Sequence, residues 1–588
     1  MSVSGKALDV HILKRIFLYA KPYGKVLTGA ILVTLLLGFI SPARPWLIQY
    51  TFDEYIVKPD PVGLRNMMLM LVGLLVLQAV FEFLQTYLAN WLGQTVVRDL
   101  RQRTFDHISR LKSRFFDNTP IGTLVTRVVS DMEAIAEVFS DGILVIFGDI
   151  LQLSVIIGSM LYMSWKLTLY SLCVMPLLII STWIFKNGIR SIFQDVRNQV
   201  ARLNAFVQEH VVGMNVVQVF NREEAEMKKF IEINKSHRKA HIRSVWYYSI
   251  FLPVVEILSA VSIGLMVWWG AREAIRGLDQ GVTLGEMLAF IFFIYALFRP
   301  IRQLADKFNT LQMGMVAAER VFALLDRDER VKDHGTMSPG DLTGRIAFDD
   351  VHFAYVDEDW VLKGISFEVE AGQTLALVGA TGSGKTSVIN LLGRYYEFQK
   401  GRISIDGHDI RDIRLPELRK HVGVVLQDVF LFSDTIYHNI TLGDPNITRD
   451  DVVRAAKIVG AHEFISRLPG AYDYDVRERG GTLSTGQRQL IAFIRAYVHD
   501  PRILVLDEAT SSVDTGSEEL IQYATARLTE GRTSVVIAHR LATIQKADKI
   551  LVLDHGRIVE SGNHSSLLNL GGVYQKLYEL QFRHSQAS

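Results

Sequence analysis

The sequence predicts two structural classes in one multidomain chain: an all-α membrane domain of six transmembrane helices, followed by an α/β domain. Three observations lead to this prediction. Of the 588 residues, 49% are hydrophobic and only 21% are charged, whereas globular domains carry about 25% charged residues. The apolar excess lies before about residue 310. After residue 374, a strand, a glycine-rich loop and a helix follow one another.

Six segments are apolar over the roughly 20 residues that a helix needs to cross a bilayer. They are residues 26–48, 67–89, 143–163, 167–187, 250–270 and 284–304. So many apolar segments would be difficult to bury in a soluble core. We therefore expect a membrane domain over residues 1–325, a polar linker with glycine and proline over 326–345, and an α/β domain over 346–588.

Basic residues predict the orientation of these helices, because Lys and Arg close to the ends of transmembrane helices are in excess on the cytoplasmic side. The long links after the second and fourth segments are rich in both residues, whereas the first link carries few, such as Lys58 and Arg65. Helical patterning continues into the long links, which predicts hairpins that project beyond the bilayer. We expect a multi-pass protein of the cytoplasmic (inner) membrane, with both termini and the α/β domain in the cytoplasm.

Three acidic residues interrupt the apolar segments: Glu82, Asp149 and Glu256. A carboxylate inside a bilayer is costly and usually faces a cavity or a partner. One hypothesis is an inward-facing substrate cavity that attracts lipophilic cations. The alternative is ordinary pairing between helices, or side chains that extend to the lipid headgroups.

Charge and cysteine content exclude some functions. The formal net charge is +1, which gives no electrostatic reason to expect nucleic acid as a partner. The chain contains one cysteine, so an intrachain disulfide and a cysteine-based metal cluster are both excluded.

The segment GATGSGKT follows the predicted strand TLALV and precedes a predicted helix. It matches G-x-x-x-x-G-K-[ST] in the strand–loop–helix context of a phosphate-binding P-loop. Its glycines allow the backbone to wrap around phosphates, Lys385 can reach the β- and γ-phosphates, and Thr386 can offer its hydroxyl to Mg²⁺. The predicted ATP-binding residues of this loop are Gly379, Ala380, Thr381, Gly382, Ser383, Gly384, Lys385, Thr386 and Ser387.

A second apolar strand, ILVLDE, ends in two acidic residues. Asp507 can hold the magnesium ion, and Glu508 can polarise an attacking water as a catalytic base. His539 follows the strand TSVVIA and can contact a γ-phosphate. Two acids at a strand end are also compatible with a capping role, but the P-loop in the same domain favours the catalytic interpretation.

The order of these motifs resembles the nucleotide-binding domain of ABC ATPases. Over residues 346–580 the chain contains, in order, Tyr355, GATGSGKT, Gln427, LSTGQ, ILVLDE, SSVD and His539. Together with six preceding spans and long inward helices, the whole chain resembles a half-transporter of the type I ABC exporter family. The link after the second span is similar to that family's coupling region through Phe116, Asp117, Gly122, Arg127 and Asp131.

The resemblance implies roles for further residues. Tyr355 matches the aromatic that stacks on adenine. Gln427 matches the residue that contacts the metal and joins that site to the membrane hairpins. Asp514 matches the loop that crosses between two such domains. Glu478 matches the acidic position of an exporter-specific loop, in which Arg477 stands where glycine is common.

The segment LSTGQ resembles the ABC signature motif, which begins a helix. It comprises Leu483, Ser484, Thr485, Gly486 and Gln487. In that family, the signature of one subunit closes over the ATP held by the P-loop of the other. The resemblance therefore implies a second half-transporter as partner, with Ser484 and the backbone of Gly486 at the γ-phosphate of the partner's ATP.

Thr485 stands where the signature usually has a second glycine. One interpretation is a substitution tolerated without consequence. The other follows a family pattern, in which one subunit of a heterodimer keeps the catalytic Glu and His but has an altered signature. The chain fits that subunit and looks most like MdlB-type multidrug exporter subunits. A heterodimer is therefore favoured over a homodimer.

The predicted function is ATP-driven efflux of hydrophobic or amphipathic compounds by alternating access of a dimer. A lipid or lipid-linked flippase with the same motor is the alternative. An ATP-gated channel or regulator is a further one, but Glu508 argues against it, because a gate needs no catalytic base. The sequence does not identify the substrate.

Overall fold

The computed structural model describes residues 9–275, 282–331, 333–507, 515–538 and 541–582. The chain divides into two compact units. The first comprises residues 1–109 and 119–328, and the second comprises residues 110–118 and 329–588. The first unit is built from helices, and the second from helices and two sheets.

The helices before residue 326 are numbered in chain order. They are α1 (Val10–Ala20), α2 (Gly24–Thr51), α3 (Pro61–Ser109), α4 (Ser113–Asn118), α5 (Ile121–Val128), α6 (Ser130–Glu137), α7 (Ile143–Met163), α8 (Trp165–Leu172), α9 (Met175–Val212), α10 (Met214–Val219), α11 (Glu223–Ile275) and α12 (Leu284–Leu325). Of these, α4 belongs to the second unit.

Five helical stretches among the described residues are long and apolar enough to cross a membrane. They are Val10–Ile56, Pro61–Ser109, Ile121–Met163, Trp165–Val212 and Glu223–Arg272, and they contain the first five predicted segments. The sixth, 284–304, lies in α12 but is not among these stretches, and the side chains of residues 301–305 fall outside the described set. The prediction of a helical membrane domain is confirmed.

The longest helices exceed the thickness of a bilayer. Helix α3 has 49 residues, and at 1.5 Å per residue it is about 74 Å long, against about 30 Å for the hydrocarbon core. Helix α11 has 53 residues. Each therefore extends well beyond its apolar segment, as the helical patterning of the long links predicts.

A buried acid organises the link after the second span. Asp131 is 4% exposed and accepts from Arg127 at 2.6 Å, while Arg320 of α12 lies 3.2 Å from its other oxygen. Two guanidinium groups compensate for the cost of burying this carboxylate. The ion pairs join α6 to α5 and to α12.

The second unit contains an antiparallel sheet and a mostly parallel one. The strands are β1 (Ile346–Ala354), β2 (Trp360–Val369), β3 (Thr374–Val378), β4 (Lys400–Ile405), β5 (His408–Asp409), β6 (Val422–Val425), β7 (Ile503–Asp507), β8 (Thr533–Ile537), β9 (Lys549–Asp554) and β10 (Arg557–Gly562). The first sheet has the order β2-β1-β4-β5, and the second has the order β10-β9-β3-β8-β7-β6.

The helices of this unit after α4 lie around the two sheets. They are α13 (Lys385–Leu392), α14 (Leu415–His421), α15 (Ile436–Thr441), α16 (Arg449–Val459), α17 (His462–Arg467), α18 (Thr485–Val498), α19 (Thr515–Thr529), α20 (Leu541–Lys546), α21 (His564–Leu570) and α22 (Val573–Phe582). Successive residues of β3 enter different cores: Ala376 and Val378 pack into one, and Leu375 and Leu377 into the other. Both faces of the sheet are thus buried, as is usual for parallel sheets.

The predicted linker, 326–345, is hydrogen-bonded within the second unit at several points from residue 329 onward. The amide of Lys112 donates to the carbonyl of Glu329 at 3.0 Å, and Val331 donates to Arg110 at 3.1 Å. Further along, the Asp406 carboxylate accepts from the amides of residues 343, 344 and 345 at 2.6, 3.1 and 2.9 Å. These bonds hold α4 and the linker to the α/β unit.

Candidate active site

The P-loop connects β3 to α13 through backbone conformations that require glycine. Gly384 precedes the helix with φ of +106°, in the region that side chains avoid. A Cβ at Gly379 would collide with the carbonyl oxygen of Leu553 on β9. Both glycines are therefore fixed by the backbone path around the space where phosphates would lie.

Lys385 is held inside this loop. It is 8% exposed, and its ammonium donates to the carbonyls of Gly379 and Ala380 at 2.8 and 3.0 Å. Burial lowers the pKa of Lys385, and the nearby Asp507 carboxylate opposes that change. An anionic phosphate in the loop would remove the cost of burying this ammonium.

A cavity of about 500 Å³ opens beside the loop. The predicted residues Tyr355, Thr386, Gln427 and Asp507 all line it. Its other lining residues are Val361, Thr381, Gly382, Gly384, Lys385, Ser387 and Ile537. The structure therefore brings the predicted adenine, phosphate and magnesium residues to one place.

The donor set fits a magnesium ion that is held mainly by phosphates. Thr386 offers a hydroxyl, Gln427 an amide oxygen and Asp507 a carboxylate, which are oxygen ligands of the kind that Mg²⁺ prefers. In addition, the buried hydroxyl of Ser383 has no hydrogen-bond partner among the described residues. Such a hydroxyl can donate to a phosphate oxygen, which supports the assignment of this loop to phosphate.

The signature segment begins α18 with a capping box. Ser484 Oγ accepts from the amide of Gln487 at 3.2 Å, and Gln487 Oε1 accepts from the amide of Ser484 at 3.0 Å. Leu483 and Gly486 are buried, whereas Ser484 is exposed. The exposed start of this helix presents its positive end outward.

Thr485 is the first residue of α18 and is exposed. Its hydroxyl accepts from Arg488 Nη2 at 3.2 Å. None of the residues 483–487 lines the P-loop cavity, as far as the described part of the chain extends. The structure thus brings the P-loop residues together but does not place the signature of the same chain among them.

The loop before the signature contains a strained residue. Arg477 has φ of 56° and ψ of −170°, a conformation that is nearly restricted to glycine. This explains physically why a glycine would suit that position. Glu478 is exposed beside it. The predicted residues Glu508, Asp514 and His539 lie outside the described residues.

Comparison with known proteins decides the family. Residues 27–301 match the model of the ABC transporter transmembrane region, and residues 362–511 match that of the ABC transporter. A probable multidrug resistance ABC transporter ATP-binding/permease protein of Bacillus subtilis (strain 168), YheH, is 37% identical over 91% of this chain and 79% of its own length. This chain belongs to the ABC exporter family.

Other relatives of this ABC exporter differ in name. An ATP-dependent lipid A-core flippase of Thiobacillus denitrificans is 36% identical over 97% of this chain and 98% of its own length. A solved structure of a bacterial Atm1-family ABC exporter with ATP bound matches 95% of this chain and 98% of that chain, with a TM-score of 0.75 and 28% identity. The names are mixed, so they do not establish the MdlB-type subfamily.

The family assignment confirms the main predictions. The chain is an exporter half-transporter that fuses a transmembrane domain to an ABC ATPase domain, with the fold of a type I exporter. It binds ATP and couples its hydrolysis to export, and exporters of this family act as dimers. It is a multi-pass membrane protein.

The membrane unit contains a polar cavity of about 270 Å³ between α2, α3, α7 and α12. Glu82 and Asp149 line it, whereas Glu256 is not among its described lining residues. Asp149 accepts from Lys307 at 2.6 Å, and Glu82 accepts from Gln78 at 2.9 Å. Pairing between helices, the alternative weighed from the sequence, therefore describes Asp149.

Sequence reasoning missed most lining residues of the membrane cavity, among them Lys307, and two of the P-loop cavity. Lys307 lies three residues after the predicted end of the sixth span, where a basic residue resembles an ordinary flank. An acid inside the membrane usually has a partner, so Asp149 could have prompted a search for a nearby basic residue such as Lys307. Val361 and Ile537 line the P-loop cavity as ordinary strand residues and carry no recognisable signal.

Proposed function

We propose that this chain is one subunit of a heterodimeric exporter that moves hydrophobic or amphipathic compounds out across the cytoplasmic membrane by alternating access. The observation that carries the proposal is the separation of two parts of one site. Lys385, Thr386 and Asp507 line the P-loop cavity, and the signature residues 483–487 are not among its described lining. A second chain would supply the missing signature, and the pair would close around ATP.

The residues of the cavity have distinct roles in this proposal. Lys385 and the loop amides bind the phosphates, and Tyr355 stacks on adenine. Thr386, Gln427 and Asp507 would hold Mg²⁺, which when bound neutralises charge on the β- and γ-phosphates. Glu508 polarises the attacking water, and His539 contacts the γ-phosphate.

ATP binding between the two chains drives closure of the dimer, and closure moves the membrane helices. To move an equilibrium between open and closed states from 1:99 to 99:1 takes about 5.5 kcal/mol of differential binding. Two ATP molecules held between the chains are a reasonable source of that energy. Hydrolysis removes the contacts and lets the dimer open, which resets the membrane helices.

Thr485 supports a heterodimer over a homodimer. Its side chain projects from the first residue of α18, at the exposed end that faces a partner's nucleotide in this proposal. A branched side chain there would crowd the approach of a phosphate to the backbone. The P-loop of this chain would form the competent site with the intact signature of the partner, and its own signature would cover a weaker site.

One experiment tests both the activity and the partner. The chain is reconstituted in vesicles, alone and with candidate partner half-transporters, and ATPase activity is measured against a panel of drugs, lipids and peptides. We expect stimulation by a hydrophobic compound, stronger with the correct partner. Glu508→Gln should bind ATP without turnover. Equal transport by the chain alone would contradict the heterodimer, and turnover in Glu508→Gln would contradict the catalytic assignment.

The membrane cavity supports an amphipathic substrate with a polar group. Glu82 is the acid of this cavity that a lipophilic cation could approach, because Asp149 is already paired with Lys307. If cations are transported, Glu82→Gln should reduce their export, whereas Glu256→Gln, outside the described lining, serves as the matched control. Equal effects of both substitutions would contradict a role for this cavity.

A flippase is the second candidate. The cavity is lined by Arg299 and Lys307 as well as by acids, amides and hydroxyls, which would suit a charged lipid headgroup. A relative at 36% identity is named as a lipid A-core flippase. Translocation of a fluorescent lipid across the vesicle bilayer, without drug export, would decide for this candidate. An ATP-gated channel or regulator is less favoured and would conduct without turnover.

A further inference from the structure

The membrane unit contains a second cavity, of about 460 Å³, between α9, α11 and α12. We call it the α9–α12 cavity, because most of its described lining residues lie on those two helices. It shares none of them with the polar cavity that Glu82 and Asp149 line. The two cavities are therefore separate over the described residues, and their chemistry differs.

One wall of the α9–α12 cavity is aromatic. The ring centroid of Tyr248 lies 5.1 Å from that of Phe185 and 6.3 Å from that of Phe193, both in edge-to-face geometry. Phe308 adds a fourth ring from α12. Phe185 is buried, whereas Phe193 is exposed. The wall therefore offers apolar surface that a ligand can cover.

The charges around this wall do not balance. The described lining contains three cations, Lys186, Arg197 and Arg320, but one acid, Asp306. Arg320 is already 3.2 Å from the buried carboxylate of Asp131. Lys186 and Arg197 therefore leave an excess of positive charge beside the aromatic wall.

Lys186 and Arg197 are both exposed, and neither has an ion-pair partner among the described residues. The Lys186 ammonium lies 5.7 Å from the centroid of the Phe308 ring. Arg197 Nη2 donates to the thioether sulfur of Met313 at 4.0 Å, and such a sulfur is a weak acceptor. Both cations thus retain donors for an anion.

Helix geometry places the two cations on one face of α9. Lys186, Phe193 and Arg197 are separated by about two turns and about one turn, and Lys186 and Arg197 are about 16 Å apart along the helix. Lys186 lies at the end of the predicted segment 167–187, so this end of the cavity is at the predicted cytoplasmic boundary of the bilayer. A ligand with its apolar part toward the bilayer therefore meets a cation on either side of the Phe193 ring.

We infer that the α9–α12 cavity binds amphipathic anions, which are compounds with a sulfonate, phosphate or carboxylate group on an apolar body. The aromatic wall holds the apolar body, and Lys186 and Arg197 hold the anionic group. The inference deepens the proposed function by naming a substrate class, and it rests on that function only for the claim that the bound compound is exported. Two sources share this chemistry: an anionic phospholipid of the cytoplasmic leaflet and a soluble amphiphile.

Two probes with the same rings and opposite charges test the inference: pyrenesulfonate and pyrenemethylammonium. The full-length chain is placed in nanodiscs of phosphatidylcholine, and binding of each probe is measured by equilibrium dialysis against nanodiscs without protein. We expect the protein to bind the sulfonate more tightly than the ammonium. Nanodiscs that also contain phosphatidylglycerol distinguish the sources, since this lipid displaces the sulfonate if a phospholipid is the occupant and leaves it bound if a soluble amphiphile is. Both results support the site.

Charge substitutions should move the two probes in opposite directions. Lys186→Gln and Arg197→Gln should each weaken binding of the sulfonate about fivefold, because each removes one attractive charge. Asp306→Asn should strengthen it by a similar factor, since it removes the repelling carboxylate. For the ammonium probe, each of these shifts reverses. A folding defect cannot produce opposite shifts for two probes of the same shape.

Arg243→Gln is the matched control. Arg243 is an exposed cation of α11 that lies 3.7 Å from Asp195 and outside the described lining of the cavity. Its substitution should change the binding of either probe by less than about twofold. An effect of Arg243→Gln equal to that of Arg197→Gln would overturn the inference, because the charge would then act from anywhere on the surface.

The failure of this inference differs from the failure of the proposed function. Equal binding of the two probes, unchanged by Lys186→Gln and Arg197→Gln, would overturn the site even if other compounds stimulate the ATPase activity. Conversely, the expected charge dependence of binding would support the site even in a chain whose ATPase activity no compound stimulates. That second result would contradict the proposed export function alone.

Discussion

The ammonium of Lys307 lies 2.6 Å from a carboxylate oxygen of Asp149, and the two residues come from different helices of the membrane unit. Their side chains are only 16% and 14% exposed. Because both side chains are largely buried, each charge compensates for the cost of burying the other. The pair therefore joins α12 to α7 beside the polar cavity, and Asp149 offers little free charge to a cationic substrate.

Lys307→Met should destabilise the membrane unit, because it leaves the Asp149 carboxylate without its partner. For a buried pair we expect a loss of about 3 kcal/mol in the free energy of unfolding. The measurement is thermal unfolding in detergent. The exposed pair of Lys58 and Glu54, at 2.9 Å, is the matched control, and Lys58→Met should cost less than about 0.5 kcal/mol.

The double variant Lys307→Met with Asp149→Asn checks the reason for this loss. Without a charge on either side chain, the uncompensated carboxylate disappears, so part of the stability should return. A double variant that is less stable than Lys307→Met alone would contradict the account of this pair.

Thr485→Gly should raise the ATPase activity of the chain when it is purified alone. The substitution removes the side chain that is proposed to crowd the partner's phosphate, at a helix cost of up to about 1 kcal/mol. Thr485→Ser keeps a hydroxyl for Arg488 but removes the methyl branch, so it should have an intermediate effect. Unchanged or lower activity in both variants would show that the threonine is tolerated without consequence.

Arg477→Gly should stabilise the α/β unit. The φ and ψ of Arg477 are nearly restricted to glycine, so the substitution should relieve about 1 kcal/mol of strain and raise the melting temperature by about 2–4 °C. Arg479 is the matched control: its φ of 53° and ψ of 24° lie in the left-handed helical region, which costs an ordinary residue less. A larger gain from Arg479→Gly would contradict this explanation.

His564 should make the stability of the α/β unit depend on pH. Burial lowers the pKa of His564, and its Nδ1 lies 2.6 Å from the hydroxyl of Tyr574, which a neutral imidazole can accept from. The Tyr578 ring centroid lies 5.6 Å from that of His564. Protonation of His564 would remove this acceptor and place a charge against two phenol rings.

The direction of this dependence follows from the lowered pKa. The unfolded chain takes up the proton first as the pH falls below about 6.5, so stability is full above that value and decreases toward the lower pKa of the folded state. The measurement compares melting temperatures at pH 7.5 and about 5.5, a window set by the ordinary histidine pKa. His564→Gln should lose less on acidification than the parent, and an equal loss would contradict the assignment.

Local motifs made the nucleotide site predictable from the sequence. The spacing from Gly379 to Thr386 is short, and the strand and helix around it fix the geometry of the loop. Tyr355 and Gln427 were placed by resemblance to the family, and both line the cavity with Asp507. The predicted catalytic residues Glu508 and His539 lie outside the described residues and remain predictions.

Contacts between distant segments could not be predicted in the same way. Asp149 and Lys307 are 158 residues apart, and Asp117 and Tyr396 are 279 apart. Only the packing of the helices brings such pairs together, and no local pattern encodes it. The strained φ of Arg477 was indicated only by the family's preference for glycine there. These are the features for which the structure was needed.

The central claim is that ATP lies between two chains, bound by the P-loop of one and the signature of the other. Cysteine crosslinking tests it most directly. In a Glu508→Gln background with Cys173→Ser, Thr381→Cys places a thiol in the P-loop and Thr485→Cys places one in the signature. The co-expressed partner half-transporter carries cysteines at its matching P-loop and signature positions. Thr381 and Thr485 are both exposed.

We expect ATP to promote a disulfide between this chain and its partner, visible as a species with the combined mass of the two chains on a non-reducing gel, with little product in the absence of nucleotide. A disulfide formed within a single chain, at the mass of the monomer, would contradict the claim. A yield of the dimer that does not change with ATP would contradict it as well.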